Sequence, residues 1–261
     1  MNPRGFLLFD IDGVIRDVSE SYRRALQETV NHFCNWKPTQ KNIDALKEEG
    51  IWNNDWDASL ELIKRYRDKK DLTIDLPDRN TLINIFTNYY FGGDPNEGSH
   101  SWKGFIKNEP LLVNKEFFHE LTSKNFLWGF VSGAEPPSAR FVLETRLGLK
   151  SPPLIAMGDA PNKPDPTGLI SLATQLAQKP LGNGIPPIGY VGDTVADVLT
   201  IKNAQKKIPP QKFISFGLAP PHLQKKSFKG SRLIYEKALR KAGADQILSS
   251  ISEVLTHIIQ W

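Results

Sequence analysis

Residues 5–14 read Gly-Phe-Leu-Leu-Phe-Asp-Ile-Asp-Gly-Val, an apolar run followed at once by two carboxylates. The run predicts a buried strand, and side chains two apart in extended backbone, here Asp10 and Asp12, point to the same side. Two neighbouring carboxylates repel each other, so a pair in one pocket implies a cation or a shared proton. By itself the motif is about equally typical of a functional carboxylate pair and of a strand that runs into an ordinary Asp-Gly turn. The rest of the chain decides between these two interpretations.

After about Pro110, apolar strand-like segments alternate with amphipathic ones. The pattern predicts strands at 126–131, 154–157, 187–191 and 213–216, and helices at 114–124, 136–147, 165–177, 194–205, 232–242 and 251–259. Strands that alternate with helices at this spacing favour a parallel sheet with helices on both faces. The predicted fold class is therefore α/β, with a doubly wound, mostly parallel sheet.

The stretch before Pro110 has a different pattern, without a recognisable strand. Apolar residues recur at helical spacing near 22–33, 40–48, 56–68 and 79–91, separated by turn-forming Pro and Gly residues. We therefore expect residues 1–17 and 111–261 to form an α/β catalytic core, and residues 18–110 to form an inserted helical cap.

Three polar residues recur at the period of a strand-helix-strand unit. Lys163 follows Ser132 by 31 residues, and Asp193 follows Lys163 by 30, close to the ~30 residues of one such unit. Each stands just beyond the carboxyl end of a predicted strand. With Asp10 and Asp12 they should line one edge of the sheet, where open α/β sheets bind their ligands.

The second acidic pair lies in Gly192-Asp193-Thr194-Val195-Ala196-Asp197. If Asp193 caps a helix that starts at Thr194, Asp197 lies one turn further on the same face, and both can reach one pocket. Alone, Asp193 is more simply a helix cap. Together with Asp10 and Asp12, it makes an oxygen-rich cluster that suits a hard divalent cation, and Mg²⁺ is the usual choice beside phosphate.

The other two motifs suit an anionic substrate. Lys163 stands in a stiff Asn-Lys-Pro-Asp-Pro turn that restricts its backbone. Ser132, followed by flexible Gly133, can offer a hydroxyl and backbone N–H groups to an oxyanion. Either motif alone is common in ordinary loops. A cation, a lysine and a serine together can neutralise a phosphoryl group.

Together the four motifs resemble those of the haloacid dehalogenase superfamily, whose members are mostly phosphatases. The matching residues are Asp10-Ile-Asp12-Gly-Val14, the strand ending at Ser132, Lys163 before Pro164, and Gly192 to Asp197. The resemblance runs from Gly5 to about Leu218 and implies a Rossmann-like core with a helical cap after the first motif, of the phosphoglycolate phosphatase-like type. An acid at the place of Asp12 is similar to phosphatases and phosphomutases, not to the dehalogenases.

The resemblance also implies roles in catalysis. Asp10 would be the nucleophile that forms an aspartyl-phosphate, and Asp12 the general acid that protonates the leaving group and then activates water. Ser132, with Gly133, and Lys163 would hold the phosphoryl oxygens.

A metal site follows from the same resemblance. Asp10, the backbone carbonyl of Asp12, and Asp193 would bind Mg²⁺. Asp197 would orient Lys163 or a metal-bound water.

Within the predicted cap, Gly50-Ile-Trp-Asn-Asn-Asp-Trp56 is the candidate substrate loop. Gly and Asn permit a turn, while two tryptophans and polar groups stand together, so Asn54 and Trp56 are candidate substrate contacts. The simpler interpretation is a loop before a helix, in which Asp55 is the cap and Trp56 packs in the core.

The composition limits the classes of binding partner that we expect. Residues 199–244 contain eleven Lys and Arg residues and one acidic residue, Glu236. Because no nucleic-acid-binding module is recognisable there, we expect a solvated basic face and no nucleic-acid partner. Cys34 is the only cysteine, which agrees with a reducing compartment. No signal peptide or membrane span is recognisable. We expect a soluble cytoplasmic protein, a monomer or homodimer, acting on a small phosphorylated metabolite.

The leading hypothesis is a Mg²⁺-dependent phosphatase of small phosphomonoesters. A sugar phosphomutase, an intramolecular phosphotransferase on the same core, is the alternative. A non-catalytic protein that binds phosphate or a protein partner is a weaker third reading, because no motif residue is missing.

Overall fold

The computed structural model describes residues 3–52 and 54–260. Packing of Cα positions divides the chain into two compact units, one made of residues 1–17 and 111–261 and the other of residues 18–110. That the first unit is a catalytic core and the second a cap stays a prediction. Across the described residues, no helix has the length and apolarity that crossing a membrane requires.

The first unit is built on one six-stranded sheet. Its strands are β1 (Gly5–Phe9), β2 (Phe126–Val131), β3 (Leu154–Ile155), β4 (Ile188–Gly192), β5 (Phe213–Leu218) and β6 (Gln246–Leu248). They run in the order β3-β2-β1-β4-β5-β6, and every pairing is parallel. The chain continues from β1 toward one edge of the sheet and from β4 toward the other. The carboxyl end of β1 therefore lies where open α/β sheets bind ligands.

The second unit is helical. Its helices are α1 (Tyr22–Cys34), α2 (Gln40–Lys47), α3 (Asp55–Lys70) and α4 (Arg79–Tyr90). The ring of Tyr22 packs edge-on against those of Phe86 and Tyr90, at centroid distances of 4.8 and 4.6 Å. These contacts join α1 to α4, and the buried aromatic side chains explain why the helical periodicity of both segments is easy to recognise.

The remaining helices belong to the first unit. They are α5 (Lys115–Ser123), α6 (Pro136–Arg140), α7 (Thr167–Ala177), α8 (Val195–Lys207), α9 (Lys229–Ala242) and α10 (Val254–His257). Side chains alternate across β1: Leu7 and Phe9 pack with α5 and α10, whereas Phe6 and Leu8 pack with α7 and α8. Both faces of the sheet are therefore covered, and the predicted doubly wound α/β fold is confirmed.

Three local predictions differ from the structure. The helix predicted over 136–147 is α6 followed by a π-helical segment, Phe141–Arg146, in which Leu147 N–H bonds to Val142 C=O across five residues. The segment 251–259 is a short α10 flanked by 3₁₀ turns. The sheet edge β6 was not predicted, because three residues are too few for a recognisable period.

Candidate active site

Asp10 stands at the carboxyl end of β1, in the middle of the sheet. Its backbone N–H extends the ladder by donating to Val191 O at 2.9 Å. One carboxylate oxygen, Oδ1, accepts from the N–H of Ile11 at 2.8 Å, and the other, Oδ2, lies 3.0 Å from Lys163 Nζ. Burial raises the pKa of Asp10 to about 6, although the charge of Lys163 acts in the opposite direction.

Lys163 is the cation at the centre of this group. Its Nζ lies 3.0 Å from Asp10 Oδ2 and 2.5 Å from Asp197 Oδ1, and it donates to the Tyr190 hydroxyl at 3.0 Å. Burial alone would lower the pKa of Lys163, but the charges of Asp10 and Asp197 raise it well above its ordinary value. The lysine is therefore a fixed positive charge beside the Asp10 carboxylate, as binding of an anion requires.

Ser132 follows β2 and adjoins Asp10. Its backbone N–H donates to Ile155 O at 2.9 Å, which fixes the turn against β3. The side-chain oxygen accepts from Ala134 N–H at 3.2 Å, and the side chain also hydrogen-bonds Asp10. Gly133 lies between these residues and is partly exposed. The Ser132 hydroxyl and the turn that follows β2 therefore lie beside Asp10, the predicted nucleophile.

Asp197 is held from two sides. It lies in the first turn of α8, where Thr194 donates its hydroxyl to Asp197 Oδ2 at 2.6 Å and accepts from Asp197 N–H at 3.2 Å. Burial alone would raise the pKa of Asp197, but the charge of Lys163 and hydrogen bonds from Lys163 and Thr194 hold it below its ordinary value. The prediction that Asp193 caps this helix is wrong: Thr194 is the N-cap, in a capping box with Asp197.

Asp193 lies where β4 ends, one residue before that cap. Its carboxylate approaches Gly13 so closely that a Cβ added at Gly13 would overlap it, and Gly13 has a φ of +76°. Glycine is required there on both counts, because it has no side chain and tolerates positive φ. The turn after the first motif and the fourth motif are thus in direct contact.

A divalent cation fits this cluster. Single carboxylate oxygens of Asp10, Asp193 and Asp197 all lie within 4.8 Å of one another. Oxygen ligands at this density are what Mg²⁺ binds, and mutual repulsion of three carboxylates would be relieved by it. Asp197 uses both carboxylate oxygens in other contacts, Oδ1 with Lys163 and Oδ2 with Thr194. Which of these residues bind a metal stays a prediction.

Asp12 is oriented differently. Its Oδ1 accepts a hydrogen bond from Arg16 Nε at 2.6 Å, and its side chain is 23% exposed. Asp12 contributes no carboxylate to the cluster of three, and the metal-binding role of its backbone carbonyl stays a prediction.

Sequence reasoning missed three polar residues around this site. Tyr190, in β4, donates to Val131 O at 2.8 Å and accepts from Lys163. Arg16 is completely buried, and the charge of Arg16 acts on Glu135. A tyrosine in an otherwise aliphatic strand, and an arginine four residues after Asp12, were the available signals.

The predicted substrate loop belongs to the second unit. Asn54 is the N-cap of α3, and its Oδ1 accepts from Trp56 N–H and Asp57 N–H at 2.9 and 3.2 Å. Asp55, expected to be the cap in the simpler interpretation, instead pairs with Lys47 at 2.7 Å. Asn53 of this loop lies outside the described residues. Trp56 is partly buried beside Arg79, whose guanidinium carbon is 5.5 Å from the ring centroid.

Comparison with known proteins gives a family match. A model described as haloacid dehalogenase-like hydrolase matches residues 6–205. One curated relative, named imidazoleglycerol-phosphate dehydratase, from Phytophthora nicotianae, is 28% identical over 251 residues. The match takes in 95% of this chain but 51% of the relative, so the chain spans about half the length of that protein.

Solved structures share the fold over nearly the whole chain. A phosphonoacetaldehyde hydrolase-like protein from Oleispira antarctica superposes with a TM-score of 0.71 at 17% identity, covering 99% of this chain and 92% of the other. Phosphatase Tt82 from Thermococcus thioreducens gives 0.59 at 22% identity, covering 90% and 99%. A β-phosphoglucomutase from Clostridium difficile gives 0.59 at 16% identity, covering 100% and 96%.

Proposed function

Since the chain belongs to the haloacid dehalogenase-like hydrolase family, we propose that it is a Mg²⁺-dependent phosphatase that hydrolyses a small phosphomonoester through an aspartyl-phosphate. The family and the hydrolase class predicted from the four motifs are confirmed by the match over residues 6–205. The observation that carries the finer proposal is the buried carboxylate of Asp10, 3.0 Å from Lys163 Nζ and hydrogen-bonded to Ser132.

In the first half-reaction, a carboxylate oxygen of Asp10 attacks phosphorus and the ester P–O bond breaks. Lys163 and Ser132 bind the phosphoryl oxygens, whose negative charge would otherwise repel the nucleophile. Asp12 gives a proton to the departing ester oxygen. The products are the alcohol and Asp10 aspartyl-phosphate.

In the second half-reaction, Asp12 takes a proton from water as the water oxygen attacks phosphorus. The bond to Asp10 breaks, which releases inorganic phosphate and restores both carboxyl groups. A single residue can serve as acid and then as base, because donating its proton in the first step leaves Asp12 as the carboxylate that accepts a proton in the second.

Mg²⁺ would be held by Asp10 and Asp193, with the backbone carbonyl of Asp12, and would offset the charge between nucleophile and phosphate. Asp197 serves Lys163 instead of the metal. Its 2.5 Å contact with Nζ, and the capping box that fixes it, support this division.

For the substrate we propose a small alkyl phosphomonoester, in the cytoplasm. Phosphoglycolate and sugar phosphates are the first candidates from the motif type. The dehydratase name of the Phytophthora relative belongs to a chain about twice as long, so it does not assign that reaction to the shared half. It does make imidazoleglycerol phosphate a reasonable third candidate.

The test is a screen of phosphorylated metabolites with Mg²⁺, in which released inorganic phosphate is measured. We expect turnover of at least one alkyl phosphate, abolished by excess chelator and by Asp193→Asn, since loss of one of two carboxylate ligands leaves little binding. Full activity in chelator would contradict the metal assignment. No phosphate release from any ester, with a p-nitrophenyl phosphate control, would contradict the phosphatase itself.

Phosphomutase activity is one outcome of the same screen. A mutase would transfer the phosphoryl group back to its sugar, and its rate would depend on a sugar bisphosphate primer. We expect no such dependence.

A further inference from the structure

The peptide bond between Asp193 and Thr194 is held at both of its polar atoms. Its N–H donates to Asp197 Oδ2 at 2.9 Å. Its C=O, which belongs to Asp193, accepts from the Tyr235 hydroxyl at 3.0 Å. Because a peptide unit is planar, hydrogen bonds at both polar atoms fix its orientation and the backbone torsions on either side. The backbone of Asp193 is therefore held by two helices, α8 and α9.

Tyr235 is itself fixed by burial. Its side chain is 3% exposed and belongs to the apolar cluster that also contains Val198 of α8 and Leu239 of α9. A buried phenol hydroxyl needs a hydrogen-bond partner in place of water, and the carbonyl of Asp193 is such a partner. The packed ring sets the position of the hydroxyl, and the hydroxyl in turn sets the position of the peptide unit.

The four motifs do not include this contact. The family match ends at residue 205, so α9 and Tyr235 lie beyond it. Helix α9 also falls within the basic stretch 199–244, to which the proposed reaction assigns no role. A helix outside the matched segment therefore donates a hydrogen bond to the backbone of a candidate metal ligand.

The position of Asp193 matters because its carboxylate is close to others of the same charge. Single carboxylate oxygens of Asp10, Asp193 and Asp197 lie within 4.8 Å of one another. Their mutual repulsion favours separation of the loops that carry them when no cation is bound. A hydrogen bond that holds the Asp193 backbone opposes this separation, so the ligand is already in place when the cation arrives. Loss of a group that orients a metal ligand typically weakens metal binding about 10- to 100-fold.

We propose that Tyr235 is a positioning residue for Asp193, and that α9 thereby sets the affinity of the candidate metal site for its divalent cation. This inference rests on the proposed function, in which Asp193 is a metal ligand. Tyr235 touches neither substrate nor metal and acts only through the backbone of Asp193.

The first test measures metal binding in the absence of substrate. Metal-free protein is titrated with Mn²⁺, which suits the same oxygen ligands as Mg²⁺, and free Mn²⁺ is followed by its EPR signal. We expect wild type to bind Mn²⁺ and Asp193→Asn to bind it far more weakly. In Tyr235→Phe the ring is kept and only the hydroxyl is lost, and we expect the Kd for Mn²⁺ to rise about 10-fold.

The second test separates metal binding from turnover. Hydrolysis of p-nitrophenyl phosphate is measured over a range of Mg²⁺ concentrations. In Tyr235→Phe, the Mg²⁺ concentration that gives half the maximal rate should rise about 10-fold. The kcat at saturating Mg²⁺ should stay within about threefold of wild type, because a bound cation itself holds Asp193 in place.

The matched control is Tyr90→Phe. The Tyr90 hydroxyl donates to Glu109 Oε1 at 3.0 Å within the second unit, and Tyr90 is also buried. Both variants lose one buried hydrogen bond, so we expect similar decreases in their thermal unfolding midpoints. Only Tyr235→Phe should change the Kd for Mn²⁺. All titrations are run well below these midpoints.

A Kd for Mn²⁺ in Tyr235→Phe equal to that of wild type would overturn the inference. An equal rise in Tyr90→Phe, or a loss of kcat that saturating Mg²⁺ does not restore, would overturn it as well. Wild-type protein that binds no Mn²⁺, or Asp193→Asn protein that binds it as tightly as wild type, would instead refute the proposed metal site. The two failures are therefore distinguishable.

Discussion

The two carboxylates of the first motif have different surroundings. Asp10 is 6% exposed and is bound by Lys163, Ser132 and the N–H of Ile11, so its position is fixed. The Asp12 side chain is 23% exposed and has Arg16 as its ion-pair partner. A nucleophile benefits from a fixed position, whereas an acid that serves both a leaving group and a water has to move.

The proposed division of labour predicts two distinct failures. Asp10→Asn should abolish the first-turnover burst on every substrate, because an amide is a poor nucleophile whatever the leaving group. Asp12→Asn should keep a burst of nitrophenolate from p-nitrophenyl phosphate and then stall, while its rate on an alkyl phosphate falls about 10²–10⁴-fold. Single-turnover kinetics on both substrates measure this. A burst in Asp10→Asn with none in Asp12→Asn would reverse the assignment.

Stability of the metal-free protein should depend on pH through Asp10. Burial raises its pKa from 3.8 to about 6, so the folded state binds a proton that the unfolded state has released. The stability that this proton contributes is present below about pH 4 and is lost as pH rises through about 6, for a total of about 3 kcal/mol.

Asp10→Asn has no such proton to lose, so its stability relative to wild type should rise by about that amount between pH 4 and pH 6.5 and then level off. Urea unfolding of both proteins in chelator measures the difference. A constant difference across this range would show that the Asp10 environment does not penalise its charge.

At the scale of single elements, α8 contains a side chain that both stabilises the helix and contacts a residue of the candidate active site. Its capping box uses Asp197, the same carboxylate that contacts Lys163 at 2.5 Å. One oxygen faces the helix start and the other faces the lysine. Stability of the helix and orientation of the cation are therefore linked through one side chain.

Thr194→Val should consequently reduce both stability and activity. Loss of the cap costs about 1 kcal/mol of unfolding free energy, and Asp197 loses the hydroxyl that holds it. We expect kcat/KM to fall about tenfold, largely through weaker phosphate binding. Inhibition by inorganic phosphate and thermal unfolding provide the two readouts.

The matched control is Thr39→Val at α2, whose capping box with Asn42 has no link to Lys163. It should lower stability by a similar amount and leave turnover of p-nitrophenyl phosphate unchanged. If both variants lose activity in proportion to stability, the capping box has no special role in the site.

The limits of sequence reasoning also lie at this scale. Ser132, Lys163 and Asp193 were predictable because each follows a strand at the period of a strand-helix-strand unit, and parallel strand ends meet at one edge. The cap of α8 was assigned one residue early, since Asp193 and Thr194 are both good cap residues and only backbone geometry distinguishes them. Glu135 has no recognisable sequence signal, because the raised pKa of its carboxyl group arises from burial in the folded chain.

The inward face of α3 shows the same limit. Large apolar residues recur there at helical spacing, at Trp56, Leu60, Ile63 and Tyr66, and this spacing predicts an inward face, but the buried residues of α3 are Ala58, Ser59, Leu62 and Ile63. Tyr66 instead stacks on Trp36, with ring centroids 4.4 Å apart. A helix rich in large aromatics offers more than one plausible apolar stripe, and packing against neighbouring helices selects among them.

At the scale of the whole molecule, we propose that the second unit contributes to the selection of substrates. If residues 18–110 contribute to substrate choice, Trp56→Phe should change the ranking of alkyl phosphates by kcat/KM several-fold. Hydrolysis of p-nitrophenyl phosphate should change by less than about threefold, because that substrate has few groups to bind beyond its reacting centre.

Trp102→Phe is the packing control, since Trp102 is 2% exposed in the same unit. Kinetics on the best three alkyl phosphates are compared for both variants. Uniform losses on all substrates from Trp56→Phe would mean that Trp56 is structural. Asn54 is less informative, because its cap on α3 makes any substitution a stability change as well.

The central place of β1 also has a consequence for how the chain acquires its fold. Phe6 lies opposite Leu127 and Ile188, which are 121 and 182 residues further along, so β1 is synthesised before both of its neighbours. Residues 18–110 form one continuous segment and can fold in the meantime. Such distant pairing slows folding, and pulse-labelled hydrogen exchange during refolding should protect the amides of α1 and α4 before those of β1. Until Ile188 has been synthesised, β1 lacks one of its two neighbours, and we expect its apolar side chains to be a binding site for chaperones during synthesis.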